Sequence, residues 1–136
     1  MSRYVNQLKN QDLLNSSLRK CLENDHFFAT FYDYFHQSSP EIAALFDKTN
    51  IVQLNKMMEN SLFRIIAVSE SNWDSEQDLI RIAKAHKDFN IKPEYYKFWE
   101  LSLLATVAEF DPDFNDQTRN AWKDSLSRGI ELMLKQ

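Results

Sequence analysis

The chain has 136 residues, a length typical of one domain that buries a hydrophobic core without metal or disulfide staples. Its net charge of −4 at pH 7 gives no basic surface for nucleic acid or for an anionic membrane. Cys21 is the single cysteine, which excludes an internal disulfide and indicates a reducing compartment. Because no apolar run is long enough for a membrane span or a signal peptide, we expect a cytoplasmic protein.

The small number of glycines and prolines, one and three, predicts long helices joined by short polar links. A first helix is predicted over residues 6–24, where leucines recur at helical spacing. A second helix is predicted over residues 26–37, and its apolar stripe consists of Phe28, Phe31, Tyr32 and Phe35. The tyrosine of this stripe, Tyr32, is therefore expected to face the interior.

A short third helix is predicted to begin at Pro40, because proline suits the first helical turn and Ser39 before it is a favourable capping residue. The fourth helix is predicted over residues 50–69, with an inner stripe of Ile51, Leu54, Met58, Ser61 or Leu62, and Ile65. This stripe favours Leu54 on the inner face. A shift of one residue in the preceding link would instead bring Gln53 inward, since neighbours lie about 100° apart round a helix.

The fifth predicted helix carries a histidine, His86, on its buried face. The residues at positions i, i+3, i+4 and i+7 of this face are Leu79, Ile82, Ala83 and His86. Asp74 and Gln77 predict a capping box at the start of the helix, and Pro93 predicts the start of the next one. A lone histidine on an apolar face is usually a core residue with satisfied nitrogens. A rigid helix end beside an aromatic helix also suits an axial haem ligand.

Two more helices complete the chain. The sixth, over residues 93–110, has a face formed by Tyr96, Trp99, Leu103, Val107 and Phe110. The seventh, over residues 116–135, has a face formed by Trp122, Leu126, Ile130, Met133 and Leu134. No segment alternates with the period of two that a strand requires. The sequence thus predicts an all-α fold of about seven helices in a single domain over residues 1–136, without internal repeats.

Four motifs, in this order, resemble those of a bacterial globin. They are the aromatic second helix with Phe31-Tyr32, the segment from Ser39 to Phe46, the helix-borne Ala85-His86, and the segment from Ile91 to Tyr96. Single-domain bacterial haemoglobins and the globin part of flavohaemoglobins share these spacings. The resemblance covers roughly residues 20 to 134. It implies the globin fold, in which the helices sandwich a non-covalent haem b with its iron.

The resemblance matches Phe46 to the aromatic residue that packs against the porphyrin face. On the proximal side, it matches His86 to the iron ligand and Tyr96 to a tyrosine packed near it. The flavohaemoglobin type adds a glutamate from the last helix, but here no glutamate stands at the matching place, and Glu131 falls too early. Candidate partners for the haem propionates are considered only as a group, namely Lys56, Arg64, Arg81, Lys87 and Lys92.

On the distal side, the resemblance matches Tyr32 to the tyrosine that reaches a bound ligand. Leu54 matches a position that is often Gln or His, and Met58 matches the apolar residue one turn further on. His36, four residues after Tyr32, could approach the edge of the pocket, but a surface position near the helix end is favoured.

The resemblance implies a haem protein that reversibly binds a diatomic gas (O2, NO or CO), in oxygen transport, storage or sensing. An NO dioxygenase is the enzymatic alternative, and it requires a separate reductase as partner. A haem-free globin-like signalling module is a third reading, against which His86, Phe46 and Tyr32 argue. Neither nucleic acid nor a membrane is expected as a partner, and monomer and homodimer both stay open.

Overall fold

The computed structural model describes residues 3–69 and 72–136, and every regular element in these two ranges is an α-helix. The helices are α1 (Arg3–Leu22), α2 (Phe27–Ser38), α3 (Pro40–Phe46), α4 (Ile51–Ser69), α5 (Trp73–Asp88), α6 (Pro93–Phe110) and α7 (Asp116–Leu134). α2 packs on α6, while α4 packs on α7 and on α5. No helix within the described ranges is long and apolar enough to cross a membrane. The all-α prediction is confirmed.

Local capping explains where α3 and α4 begin. The Ser39 hydroxyl accepts a hydrogen bond from the Glu41 amide at 3.2 Å, and Pro40 occupies the first helical position of α3. The Asn50 side chain accepts from the Val52 amide at 2.8 Å at the start of α4. Each cap satisfies an amide that has no partner within its own helix, so the short link between α3 and α4 has a defined path.

The start of α5 differs from the prediction. The capping box of Asp74 and Gln77 is wrong, because α5 begins at Trp73 and Asn72 is its cap, accepting from the Ser75 amide at 2.9 Å. Asparagine is as favourable a cap as aspartate. With the cap two residues earlier, Asp74 lies in the first turn, where its negative charge is stabilised by the helix dipole.

The predicted inner stripes form the core, with three differences. Phe27 is fully buried while Phe28 is half-buried, because the Phe27 ring packs edge-on against Phe110 at 5.9 Å between centroids. Ile51 is 53% exposed and Leu134 is 48% exposed, although both were predicted to face inward. These two residues are the first of α4 and the last of α7, so the neighbouring helices do not cover them.

The single glycine of the protein lies where α7 approaches α4 most closely. A Cβ atom at Gly129 would lie 3.0 Å from Cγ2 of Ile65, which is shorter than an ordinary contact. Ile65 is buried on α4.

Earlier on α7, the Trp122 indole donates a buried hydrogen bond to the Ser17 hydroxyl at 2.9 Å, which joins α7 to α1.

Candidate functional site

A capped turn holds His86 near the C-terminal end of α5. Asn90 has a φ of 57°, in the left-handed region that asparagine tolerates better than most residues. The Ile91 amide donates to the His86 carbonyl at 3.0 Å, and the Asn90 amide donates to the Lys87 carbonyl at 3.1 Å. This pair of bonds is a Schellman motif. Asn90 was not singled out from the sequence, although an asparagine followed by an apolar residue is the sequence pattern of this motif.

The His86 side chain is half-buried and paired with Tyr96 from α6. Its Nδ1 lies 3.0 Å from the Tyr96 hydroxyl oxygen, and the ring centroids are 5.9 Å apart. Burial lowers the pKa of His86 below its usual value, so the imidazole is neutral at physiological pH. Burial also raises the pKa of Tyr96, which keeps its phenol neutral. Because Nδ1 is in this hydrogen bond, Nε2 is the nitrogen that can bind a metal ion.

His86 lines a cavity of about 360 Å³, a size within the range of cofactor sites. All six residues predicted from the resemblance line this same cavity, namely Tyr32, Phe46, Leu54, Met58, His86 and Tyr96. They come from five different helices, α2 to α6. Further lining residues that were predicted only as core, or not singled out at all, include Ile42, Met57, Ile65, Ile82, Ile130 and Met133. Their apolar side chains give no sequence signal that separates a cavity wall from an ordinary core.

The phenol of Tyr32 occupies the side of the cavity formed by α2 and α4. Tyr32 is 6% exposed, and its hydroxyl donates to the Leu54 carbonyl oxygen at 2.6 Å. Burial raises the pKa of Tyr32, so the hydroxyl keeps its proton. Leu54 is buried and lines the cavity, whereas Gln53 is exposed and does not. The inner position of α4 is therefore apolar.

His36 differs from its predicted surface role. The side chain is half-buried, and its ring stacks on Phe46 with centroids 6.0 Å apart and an interplanar angle of 24°. Its centroid is 5.9 Å from that of Tyr32. The enclosed Nε2 atom bonds to none of the described residues. Residues four apart lie on the same side of a helix, which is why His36 follows Tyr32 toward Phe46 and not toward solvent.

The second proximal partner of flavohaemoglobins has no counterpart here. In the described ranges, the Tyr96 hydroxyl is hydrogen-bonded to His86 alone. Glu131 of α7 is exposed, while its neighbours Ile130 and Met133 line the cavity. Within residues 3–69 and 72–136, no carboxylate accepts a hydrogen bond from the Tyr96 phenol.

The residues of the cavity fit a haem better than a bare metal ion. No three His, Cys, Asp or Glu side chains lie close enough to hold a metal ion anywhere in residues 3–69 and 72–136. A haem brings four nitrogen ligands of its own and needs one axial ligand from the protein. One neutral imidazole in an apolar cavity, His86, is that kind of ligand.

Comparisons with known proteins agree with this geometry. No family model matches the sequence. The chain is 33% identical over 97 residues to a flavohemoprotein of Vibrio cholerae, a match that covers 68% of this chain and 24% of the relative. It is 29% identical over 83 residues to a flavohemoprotein of Bacillus subtilis, covering 58% and 20% respectively. The chain thus spans a quarter or less of the length of these curated relatives.

A solved structure matches nearly the whole chain. The crystal structure of a Pseudomonas aeruginosa PAO1 protein, described as structurally highly homologous to a human haemoglobin, superposes with a TM-score of 0.87. The sequences are 30% identical, and the match covers 93% of this chain and 96% of that one. The helices around the cavity therefore form a globin fold. The chain belongs to the family of bacterial globins.

Proposed function

We propose that the protein is a haem-binding globin, which holds haem b through His86 and reversibly binds a diatomic gas such as O2, NO or CO. The observation that carries this proposal is that His86 and Tyr32, from α5 and α2, line one apolar cavity. The imidazole can hold the iron, and the phenol can donate a hydrogen bond to a bound gas. The likeness to flavohemoproteins and to a haemoglobin-like structure supports the same function.

On the proximal side, Tyr96 orients His86, the residue that would hold the iron. A bound haem would supply an iron centre able to bind a diatomic gas. With Nε2 of His86 as the nitrogen that holds the iron, Nδ1 must carry the proton and donate it to the Tyr96 oxygen, which lies 3.0 Å away. Tyr96 therefore fixes the rotation and the tautomer of the imidazole.

On the distal side, Tyr32 supplies the hydrogen-bond donor and the remaining residues exclude water. The Leu54 and Met58 side chains have no proton to donate, and both are buried. Phe46 lies 6.2 Å from the Tyr32 ring, between centroids, and covers the same side of the cavity. A polarised gas in this part of the cavity would be held by one phenol, without a second donor from Leu54 or Met58.

The test is a titration of the purified protein with hemin, followed by absorption. We expect a stoichiometric complex with an intense Soret band. His86→Ala should abolish stoichiometric haem retention, or leave a cavity that retains haem only when free imidazole is added. His26→Ala is the matched control, because His26 is exposed before α2 and does not line the cavity. Unchanged spectra in His86→Ala would mean that another residue is the ligand.

The second candidate function is an NO dioxygenase, favoured by the similarity of 97 residues to a flavohemoprotein. In this reading Tyr32 holds O2 for reaction with NO, and a separate reductase supplies the electrons. The Tyr96 hydroxyl is hydrogen-bonded to His86 and, among the described residues, to no carboxylate. This weighs against the enzyme, because a carboxylate there would increase the electron donation of the imidazole. Steady-state consumption of NO in the presence of O2 and a reductant would separate this enzyme from a gas carrier.

A haem-free signalling module is the third candidate, and absence of a Soret band after hemin titration would favour it. We propose further that residues 1–136 form one globin domain in the cytoplasm. The support for this location is the single cysteine, Cys21, which is a buried free thiol and leaves no internal disulfide. Storage, transport and sensing share this site, and the kinetics of gas binding would distinguish them.

A further inference from the structure

Apart from the imidazole and the aromatic side chains, the polar groups of the cavity are concentrated on one edge. Asn60, Ser61 and Arg64 of α4 line it. Their spacing of i, i+1 and i+4 places them on one side of two successive helical turns. Leu79 and Ile82 line the cavity from α5 and offer no side-chain donor. The hydrogen-bond donors therefore lie on the α4 side.

Arg64 is the only lysine or arginine among the described residues that lines the cavity. Its Nε atom lies 3.3 Å from Oδ2 of Asp78, which does not line the cavity. Asp78 also pairs with Arg81. Two guanidinium groups thus share one carboxylate, and the three side chains together carry a charge of +1. Arg64 thus lines the cavity, while its counterion Asp78 does not.

The other four cations considered as propionate partners lie elsewhere. Lys92 donates to a Glu41 carboxylate oxygen at 3.0 Å. Arg81 has 74% of its side chain exposed. Lys56 and Lys87 are exposed, and neither lines the cavity.

We infer that Arg64, with Asn60 and Ser61, binds the carboxylate groups of the haem, an inference that rests on the haem binding proposed above. Haem joins an apolar ring to two carboxylates on one edge, and a carboxylate taken from water needs charged or hydrogen-bonding partners. Leu45 and Met57 are exposed residues of the same cavity, but their side chains have no donor. The haem edge with the carboxylates therefore lies along the second half of α4.

The experiment measures the rate at which the loaded protein loses hemin to an excess of a haem-scavenging apoprotein. Arg64→Met should raise this rate roughly five- to tenfold, since the charged hydrogen bond from the half-exposed Arg64 side chain to a haem carboxylate is lost. Arg64→Lys should restore part of the difference. Lys56→Met is the matched control, because it removes the same charge from the same helix outside the cavity. Asn60→Leu, at an exposed position, should raise the rate about two- to threefold.

Hemin dimethyl ester, which has no free carboxylate, distinguishes this role from general destabilisation. Wild type should lose the ester faster than hemin, whereas Arg64→Met should lose both at similar rates. If Arg64→Met discriminates between hemin and its ester as strongly as wild type, the carboxylates bind elsewhere and the inference is wrong. An equal effect of Lys56→Met would also overturn it. A wild-type protein without a Soret band would instead overturn the proposed function itself.

Discussion

Replacing Tyr32 with phenylalanine removes one hydroxyl from the cavity and leaves the ring in place. In the structure this hydroxyl donates to the Leu54 carbonyl oxygen at 2.6 Å. A phenol has one proton, so it must leave Leu54 before it can donate to a bound gas. The free energy that Tyr32 contributes to gas binding is therefore the difference between two hydrogen bonds.

That difference sets the expected magnitude. A hydrogen bond to a partially charged oxygen contributes about 2 kcal/mol, and the bond to a neutral carbonyl about 1 kcal/mol. The remaining difference of about 1 kcal/mol corresponds to roughly a fivefold change in an equilibrium constant. We expect Tyr32→Phe to raise the O2 dissociation rate by this factor. The CO rate should change much less, because bound CO carries less charge.

Stopped-flow measurement of O2 and CO dissociation tests this reasoning. Tyr34→Phe is the matched control, since Tyr34 lies on the same helix and its hydroxyl donates to Glu109, away from the cavity. Leu54→Gln should partly compensate in a double variant with Tyr32→Phe by returning a donor to α4. An O2 dissociation rate that is unchanged in Tyr32→Phe, or a change of equal size for CO, would refute Tyr32 as the donor.

Three other predictions concern the proximal side and the stability of the fold. Tyr96→Phe removes the acceptor of the Nδ1 proton, so haem affinity should fall roughly tenfold and the iron–histidine stretching frequency should decrease in Raman spectra; an unchanged frequency would contradict it. Asn90→Ala should lower Tm by about 3–5 °C because alanine is less stable at a φ of 57°, while Asn90→Gly should not. Glu41→Gln should lower Tm at neutral pH, and circular dichroism should show that this difference narrows as the pH falls below the usual pKa of a glutamate. The pKa of Glu41 is lowered by hydrogen bonds from Tyr95 and Lys92. The stabilisation that the Glu41 carboxylate gives the fold is therefore lost as pH falls through that lowered pKa. A Tm difference that does not change with pH would contradict this prediction.

The proximal side was largely predictable from the sequence, because its geometry depends on neighbours along the chain. The apolar spacing that ends at His86, and the proline that starts α6, place the imidazole and Tyr96 on adjoining helix ends. Helical spacing likewise predicted Leu54 on the inner face of α4. Helical periodicity carries this information without any knowledge of tertiary contacts.

Other features depend on how distant helices cross, and the sequence alone did not reveal them. The Tyr32 hydrogen bond to a backbone carbonyl requires the distance between α2 and α4, which no periodicity encodes. The stacking of His36 on Phe46 depends on the path of the chain after α2. That Arg64, of the five candidate cations, lines the cavity appears only when α4 and α5 lie together, because the sequence shows five similar cations.

The number of residues between α5 and α6 sets the side of α6 that faces His86. Four residues, 89–92, separate the two helices, and the left-handed Asn90 fixes the direction in which the chain leaves α5. Because each added residue turns a helix by about 100°, one insertion or deletion after the capped turn would rotate Tyr96 away from His86. Substitutions at the exposed Phe89 leave this length unchanged. The link between α5 and α6 therefore tolerates a change of residue type at that position far better than a change of residue number.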